Sequence, residues 1–230
     1  MEAVILAGGF GKRLGTLISD VPKPMAPIGG RPFLEILLKR LSEKKFQHIV
    51  LSLGYRAEQI SSYFKSEYAG MKLDYVVEQE PLGTGGALRL AFSECRGDPV
   101  FIFNGDTFID LEIDDMLQTW KQFGCHPIIV ARRVEDTSRF GVMKTDGNLV
   151  TSFCEKGRSG SGLINAGCYL FSKNILDKYE LLTAFSLETD FLVSEVHKTS
   201  FVFFETQGLF IDIGIPEDYR TAQSLLLPYF

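Results

Sequence analysis

Strand-like apolar runs alternate with helical patterns over the first half of the chain. The runs cover residues 2–6, 48–53, 73–77 and 99–104, and residues 33–46 show the clearest helical period between them. A strand that returns to the same sheet through a helix runs parallel to its predecessor, and such helices cover both faces of the sheet. The alternation therefore predicts an α/β fold with a parallel sheet and helices on both faces.

The pattern changes after Asp106, where one more helix precedes a series of closely spaced strands. Asp146-Gly147-Asn148 is typical of a hairpin turn between two of them. No repeat, low-complexity segment or Gly/Ser linker divides the chain, which predicts one mixed α/β domain over residues 1–230. The further strands expected are 127–133, 141–145, 149–155, 163–171, 201–205 and 208–212, and the further helices are 57–64, 85–92, 113–123, 173–182, 189–197 and 217–227, with Pro216 at the start of the last.

Composition excludes several classes of protein. The net charge is −5 with no basic tail, which argues against nucleic-acid binding. No apolar stretch reaches the about 18 residues that a membrane span needs, and residues 2–6 read as a strand, so we expect neither a membrane span nor a signal peptide. The four cysteines form no C-x-x-C pair and the three histidines are scattered, so we expect reduced thiols, no zinc site and a cytoplasmic protein.

The loop that follows the first strand is rich in glycine and in positive charge. Glycine lets main-chain N–H groups crowd around an anion because no Cβ blocks the approach. Lysine and arginine nearby add charge-assisted hydrogen bonds. The ligand expected here is a polyphosphate. The residues concerned are Gly8, Gly9, Gly11, Gly15, Lys12, Arg13 and Lys23.

Two better-known phosphate loops do not fit this one. The Gly-x-x-x-x-Gly-Lys-Ser/Thr pattern is absent, and a dinucleotide fingerprint would need a third glycine where Leu14 stands. Such a fingerprint also expects an acidic residue near the end of the second strand, which here reads Leu53-Gly54. These departures disfavour a nicotinamide oxidoreductase. A purely structural turn is the plainer alternative, and the crowded cations disfavour it.

Six motifs taken in order resemble those of the sugar-1-phosphate nucleotidyltransferases, and they run through nearly the whole chain. The resemblance implies a Rossmann-like, glycosyltransferase-A-like domain with a mixed, mostly parallel sheet. It also implies an enzyme that joins a nucleoside triphosphate to a sugar 1-phosphate and releases pyrophosphate. Residues 1–110 would bind the nucleotide and residues 111–230 the sugar phosphate, without the β-helical C-terminal domain of larger relatives. The motifs are Leu6-Ala7-Gly8-Gly9-Phe10-Gly11-Lys12-Arg13-Leu14 with Lys23-Pro24, Gly83-Thr84-Gly85-Gly86-Ala87, Asn104-Gly105-Asp106, Glu155-Lys156, Asn165-Ala166-Gly167 and Asp212-Ile213-Gly214.

Two aspartates at strand ends are the candidates for a magnesium site. Asp106 follows a buried strand and Asp212 follows another, and the resemblance places them opposite each other. Mg²⁺ typically takes one or two protein carboxylates together with phosphates and waters. The alternatives are a helix-capping role for Asp106 and a turn-forming role for Asp212. Weaker metal candidates are Asp110, Asp114 and Asp115, which fit a helix N-terminus better.

The resemblance also implies a nucleotide site built around the first loop. Arg13 would contact the β- and γ-phosphates, Lys23 would bridge the triphosphate and the incoming phosphate, and Gln79 with Gly83 would face the base. A surface position for Lys12, a solvated Lys23 and a simple turn at Gly83 are the plainer alternatives. The full nucleotide set is Leu6, Ala7, Gly8, Gly9, Gly11, Lys12, Arg13, Lys23, Gln79, Gly83, Thr84 and Asp106.

The sugar phosphate is assigned to the second half in the same way. Lys156 would hold the phosphate and Glu155 the sugar hydroxyls, which requires a bend because neighbouring strand residues face opposite sides. Gly141 and Asn165 would be further sugar contacts on the family pattern. An exposed ion-pair role is the alternative for Glu155 and Lys156. The catalytic set implied is Arg13, Lys23, Asp106, Lys156 and Asp212.

Within the family, the short chain and the motifs at residues 165–169 and 210–219 most resemble the D-glycero-D-manno-heptose 1-phosphate guanylyltransferases. That resemblance implies GTP, Mg²⁺ and GDP-heptose for bacterial surface polysaccharide. Residue chemistry leaves open a mannose or glucose 1-phosphate and a guanylyl-, uridylyl- or thymidylyltransferase, and it leaves the oligomeric state open. A non-catalytic nucleotide-sugar sensor is the alternative of another class, which retention of both acids and the three cations disfavours.

Overall fold

The first half of the chain alternates strands and helices, as its periodicity predicts. The structure is a computed structural model, and it describes residues 1–9, 18, 21–154 and 160–230. The elements of this half are β1 (Glu2–Leu6), a 3₁₀ turn (Lys23–Met25), β2 (Pro27–Ile28), β3 (Arg31–Pro32), α1 (Phe33–Glu43), β4 (His48–Leu53), α2 (Ala57–Phe64), β5 (Glu67–Tyr68), β6 (Met71–Val77), α3 (Gly83–Phe92), β7 (Val100–Asn104) and β8 (Thr107–Ile109).

The second half is richer in strands and closes with a helix. Pro216 is the first residue of that helix, where its missing N–H is not needed. The elements are α4 (Ile113–Gln122), β9 (Ile128–Val134), β10 (Val142–Asp146), β11 (Leu149–Cys154), β12 (Gly162–Phe171), a 3₁₀ turn (Ile175–Lys178), a π-helical segment (Leu187–Leu192), α5 (Val193–Glu195), β13 (Val202–Glu205), β14 (Phe210–Asp212), α6 (Pro216–Leu225) and a 3₁₀ turn (Leu227–Tyr229).

One mixed sheet runs through both halves, which confirms the predicted α/β class. Its strand order is β10-β11-β13-β9-β12-β7-β1-β4-β6-β5. Parallel pairing joins β7, β1, β4 and β6, because crossover helices connect them, and it recurs between β13 and β9. The remaining ladders of this sheet are antiparallel, and the predicted hairpin joins β10 to β11. Parallel strands therefore dominate the first half of the sheet rather than the whole of it.

Helices cover both faces of the sheet, also as predicted. Successive side chains of β1 point to opposite sides, so Ile5 packs with α1, α2 and α4 while Val4 packs with α3 and the segment after Phe185. Both side chains are fully buried, and each such burial contributes about 1.5–3 kcal/mol. No helix in the described ranges is long and apolar enough to cross a membrane.

A separate two-stranded sheet, β8 with β14, sits beside the main one and was half missed by the sequence analysis. The strand near residues 208–212 is as expected. Its partner, β8, lies in the segment before α4, where no strand was expected. Phe108 and Ile211 bury this small sheet against Phe33 and Ala222 in a core cluster of their own. The pairing puts Asp212 opposite Thr107, and Ile213 N donates to Asp106 O at 2.9 Å.

The helix predicted over residues 173–182 is wrong. The chain there makes a 3₁₀ turn at Ile175–Lys178 and then leaves helical geometry at Tyr179. Tertiary contacts override the local propensity, because Arg89 Nη2 binds the carbonyl oxygens of Leu182 and Thr183 at 2.7 and 3.2 Å. The next helical segment begins at Leu187, two residues before the expected start, and Ser186 caps it.

The four cysteines lie within the described residues and form no disulfide. Burial raises the pKa of the Cys95 thiol to about 12 and that of Cys168 well above its usual value. Neither is poised as a thiolate, which fits the structural role expected of them.

Candidate active site

The carboxyl ends of the parallel strands border a cavity of about 1240 Å³. Its first wall consists of Leu6–Gly9 after β1, Ser52 in β4, Glu78 after β6 and Asn104–Thr107 after β7. The opposite wall comes from β12, from the helical segment at residues 187–193 and from β14. A crevice at this edge is where open α/β sheets bind ligands. Its volume exceeds the about 300–1,000 Å³ typical of a site for one small molecule, which suits two substrates.

Two carboxylates in the lining of this cavity meet around one ammonium. Lys23 Nζ lies 2.5 Å from Asp106 Oδ2 and 3.9 Å from Asp212 Oδ1. Asp106 follows β7, Asp212 ends β14, and the β8–β14 pairing brings the two positions together. The expected juxtaposition of Asp106 with Asp212 is thus present in the structure.

The surroundings of Asp212 disfavour its charge. Burial raises the pKa of this carboxyl, the nearby Asp106 carboxylate raises it further, and Lys23 with a bond from Gly214 N at 2.6 Å partly opposes the rise. An added cation would favour the ionised form of Asp212. Among the described residues no group of three or more metal-ligating side chains occurs. Two carboxylates are nevertheless the donor set that Mg²⁺ uses when phosphates complete its shell, so the site fits that ion.

Glycines after β1 and after β4 permit a close approach of three chain segments. A Cβ on Gly8 would lie 2.6 Å from Glu78 Oε1, and one on Gly54 would lie 2.8 Å from Gly8 O. A side chain on Gly54 would force the two backbones apart, and one on Gly8 would displace the Glu78 carboxylate. The backbone of Gly8 is therefore held against the carboxylate of Glu78 at one end of the cavity.

Glu78, which the sequence analysis did not single out, lines this end of the cavity, whereas Gln79 is exposed and outside the lining. Glu78 Oε2 accepts a hydrogen bond from Leu82 N at 2.8 Å, which fixes the carboxylate. Ser52 is only 1% exposed, and its hydroxyl has no hydrogen-bond partner in the described part of the chain. The position directly after β6 was the signal that could have identified Glu78.

The glycine-rich turn that opens α3 serves packing as well as the cavity. Gly83 has φ +68°, and a Cβ there would lie 2.5 Å from Phe185 O. A Cβ on Gly85 would overlap the Phe185 ring at 2.1 Å. Gly83 and Thr84 line the cavity, and Thr84 Oγ1 accepts a bond from Leu187 N at 2.9 Å. This turn therefore joins the two walls of the cavity.

A buried tyrosine ties together two polar side chains on the opposite wall. Tyr169 is fully buried, and its hydroxyl accepts a bond from Asn165 Nδ2 at 2.8 Å and donates one to Glu188 Oε1 at 3.4 Å. Asn165 Oδ1 in turn accepts from Gly167 N at 3.0 Å, so the amide is held at both ends. Tyr169 reads as an ordinary core aromatic in the sequence, which is why it was missed together with Glu188.

Arg139 is a further cation on the cavity wall that no sequence motif indicated. Its guanidinium pairs with Asp218 Oδ2 at 2.6 Å, and that hydrogen bond raises the pKa of Arg139 above its already high value. The arginine therefore contributes a permanent positive charge to the cavity lining.

The structure brings most of the expected site residues to this one cavity. Gln79 is outside its lining. Gly11, Lys12, Arg13, Glu155 and Lys156 lie outside the described residues. The expected residues that line the cavity are Leu6, Ala7, Gly8, Gly9, Lys23, Gly83, Thr84, Asp106, Gly141, Asn165 and Asp212, and the roles given to them stay predictions.

Comparison with known proteins decides the family. The model of the nucleotidyl transferase family matches residues 2–227. The chain belongs to the nucleotidyl transferase family. This nucleotidyltransferase is 41% identical over 229 residues to the D-glycero-alpha-D-manno-heptose 1-phosphate guanylyltransferase of Aneurinibacillus thermoaerophilus, with 100% of both chains covered. It is 38% identical to the enzyme of the same name from Campylobacter jejuni, with 95% of this chain and 97% of the other covered.

A solved structure shares the fold over almost the same span. HddC from Yersinia pseudotuberculosis superposes with a TM-score of 0.87 at 39% identity, covering 96% of this chain and 97% of the other. The same protein has been crystallised in complex with GMP-PN. The family, the α/β fold and the enzyme class predicted from the motifs are confirmed.

Proposed function

We propose that this nucleotidyltransferase transfers GMP from GTP to D-glycero-α-D-manno-heptose 1-phosphate and releases pyrophosphate. The observation that carries the reaction type is the pairing of Asp106 and Asp212 around Lys23 inside a cavity large enough for two substrates. The choice of GTP and heptose is supported by the names of the two full-length relatives. The product would supply bacterial surface polysaccharide synthesis, and we place the enzyme in the cytoplasm.

The reaction is an in-line attack by the sugar phosphate on the α-phosphorus of GTP. The second pKa of a phosphate monoester is about 6, so the nucleophile is largely dianionic at neutral pH and needs no general base. Two like charges about 4 Å apart at an effective dielectric of about 20 repel by roughly 4 kcal/mol. The work of the protein is therefore to offset this repulsion and to align the reacting oxygens.

The cations around the cavity are suited to that work. Lys23 and Arg139 lie in its lining, and we assign Arg13 and Lys156 to the phosphates on the family resemblance. Asp106 and Asp212 would hold Mg²⁺, which when bound neutralises phosphate charge and orients the triphosphate. The backbone of Gly8 and Gly9, open on the cavity side, would approach the nucleotide.

Glu78 supports guanine as the base. An ionised carboxylate only accepts hydrogen bonds, and guanine presents two adjacent donors, N1–H and the N2 amino group. Uracil and thymine present a single N–H between two carbonyl oxygens. A carboxylate would repel these oxygens, because both groups are hydrogen-bond acceptors. With Oε2 fixed by Leu82 N and Oε1 beside Gly8, Glu78 offers the acceptor edge that guanine matches. We assign base reading to Glu78 in place of Gln79.

The opposite wall offers hydroxyl-binding groups for the sugar. Asn165 presents an amide whose orientation is fixed by Tyr169 and Gly167, and Glu188 presents a carboxylate beside it. Gly141 leaves the adjacent wall without a side chain. A polyhydroxylated sugar suits this set of donors and acceptors.

A grid of substrates tests the proposal. Five nucleoside triphosphates would be combined with the 1-phosphates of D-glycero-D-manno-heptose, mannose and glucose, with Mg²⁺ present and pyrophosphate release as the readout. We expect the highest kcat/KM for GTP with the heptose. Faster turnover with a hexose or with UTP or dTTP would overturn the substrate assignment. Binding without turnover across the whole grid would indicate a nucleotide-sugar sensor instead.

A further inference from the structure

Lys23 holds a position that a bound metal ion would need. Its ammonium lies 2.5 Å from Asp106 Oδ2 and 3.9 Å from Asp212 Oδ1, between the two carboxylates. The lysine side chain is only 13% exposed, whereas those of Asp106 and Asp212 are 37% and 32% exposed, so the ammonium is enclosed while the acids stay accessible to a ligand. A divalent ion held by these two carboxylates would compete with the ammonium for their oxygens.

The local backbone holds the lysine at this point. Lys23 lies between Pro22 and Pro24 and is the first residue of the 3₁₀ turn Lys23–Met25. Ala26 N donates a hydrogen bond to Lys23 O at 3.0 Å. On the other side a Cβ on Gly214 would lie 3.2 Å from Nζ, so the glycine leaves the space that the ammonium fills. The backbone of Lys23 is therefore held in place beside the two acids. Its flexible side chain can still change rotamer and move the ammonium away from them.

We propose that Lys23 is the resting counter-ion of the Asp106–Asp212 pair, and that a divalent cation binds there only by displacing the ammonium, which then moves to phosphate oxygens of the nucleotide. The proposal rests on the metal assignment made under the proposed function. It adds that one lysine serves two anionic partners in turn. An ammonium left beside a bound divalent ion would be repelled, whereas triphosphate oxygens give it a new partner.

The exchange couples metal binding to nucleotide binding. In the nucleotide-free enzyme the metal must compete with Lys23, so its affinity is low. A bound nucleotide accepts the ammonium and removes the competitor, and by linkage each ligand then strengthens the binding of the other. Loss of the lysine charge should therefore tighten metal binding to the free protein while it weakens nucleotide binding.

The first test measures Mn²⁺ binding to the nucleotide-free protein by electron paramagnetic resonance. We expect Lys23→Met to lower the Kd for Mn²⁺ by about tenfold or more, a factor that corresponds to about 1.4 kcal/mol. Lys72→Met is the matched control, because Lys72 Nζ also lies 2.5 Å from a carboxylate, that of Asp74, but near the start of β6 and outside the cavity lining. We expect its Kd to equal that of the wild type. Equal or weaker Mn²⁺ binding by Lys23→Met would overturn the proposal.

A second readout follows the lysine itself. The ¹⁵N-labelled lysine side chains of the wild-type protein would be titrated with Mg²⁺, with the Nζ resonance of Lys23 assigned by its absence in Lys23→Met. We expect that resonance to shift with the midpoint of metal binding. If Mg²⁺ binds saturably while the Lys23 Nζ resonance does not shift, the proposed displacement of Lys23 is wrong but the metal assignment is not affected. The double variant Lys23→Met/Asp106→Asn should lose the tighter Mn²⁺ binding expected of Lys23→Met, which would locate the metal at the acids. If the tighter binding persists in the double variant, the metal assignment itself is wrong.

Discussion

Asp212 lies directly opposite Thr107 in the antiparallel ladder between β8 and β14, which brings it beside Asp106. The two acids are therefore aligned by backbone pairing, and Ile213 N to Asp106 O at 2.9 Å extends the ladder past them. The backbone positions of the two acids therefore do not depend on the acids' own side chains. Isosteric changes of the acids should remove function while the fold remains.

Asp106→Asn and Asp212→Asn should each lower kcat by about 100-fold or more, because each removes a carboxylate that would hold the cation by which the phosphate charge is neutralised. Pyrophosphate release from GTP and the sugar 1-phosphate measures the effect, and circular dichroism checks the fold. Asp114→Asn is the control, since Asp114 is exposed in the first turn of α4. Wild-type turnover by either active-site variant would remove that residue from the metal site.

Glu78→Gln should weaken the preference for guanine. The amide of glutamine cannot accept from both N1–H and the N2 amino group, so we expect kcat/KM for GTP to fall by a factor equivalent to about 1–3 kcal/mol. The ratio of GTP to ITP, which lacks the N2 amino group, should fall with it. Glu80→Gln, an exposed neighbour, should leave both values unchanged. An undiminished GTP-to-ITP ratio in Glu78→Gln would contradict the base-reading role.

Tyr169→Phe should raise KM for the sugar 1-phosphate by up to about tenfold and leave KM for GTP unchanged, because the hydroxyl orients Asn165 and Glu188. Steady-state kinetics with each substrate varied in turn separates the two effects. Tyr179→Phe is the control, since its hydroxyl pairs only with Thr199 Oγ1, at 3.1 Å, among the described groups and lies outside the cavity lining. Equal rises in both KM values would indicate a general loosening of the core.

Glu2→Gln should make the protein less stable at neutral pH. Burial alone would raise the pKa of Glu2, but bonds from Arg96 N, Gly97 N and the His48 ring outweigh it, and the pKa is lowered from its usual 4.5. The ionised carboxylate therefore stabilises the fold fully above about pH 4.5, and this contribution is lost as the pH falls through the lower folded pKa.

Urea unfolding at pH 7 and in acid checks this prediction. At pH 7 we expect the free energy of unfolding of Glu2→Gln to lie about 1–3 kcal/mol below that of the wild type. The difference should shrink toward zero below the folded pKa. Glu94→Gln, at an exposed neighbouring position, should show neither effect. A difference that is independent of pH would mean that the charge of Glu2 does not stabilise the fold.

Local patterns predicted the parts of the fold that local forces determine. The apolar runs of β1 and β4, the periodic face of α1 and the turn at Gly147 are all where periodicity and turn chemistry place them. β8 was missed because it has only three residues and its partner lies about a hundred positions later in the chain. Such pairings carry no periodic signal.

The candidate site shows the same division. Motifs at strand ends led to Gly8, Asp106 and Asp212, because ligands collect at the carboxyl ends of parallel strands. The sequence motifs pointed to Gln79, whereas the structure places its neighbour Glu78 in the cavity lining. Neighbouring residues of a strand face opposite sides, so a shift of one residue changes which side chain faces the cavity. Tyr169 could not be distinguished from a core aromatic, because its hydroxyl finds its partners only in three dimensions.

The position of a bound metal ion decides whether Asp106 and Asp212 form the metal site. X-ray data would be collected at the manganese absorption edge from crystals of the enzyme with Mn²⁺ and a non-hydrolysable GTP analogue. We expect one anomalous peak bonded to oxygens of both Asp106 and Asp212 and to the triphosphate, with Lys23 turned toward the phosphates. A nucleotide-bound peak that contacts neither aspartate would contradict the metal assignment.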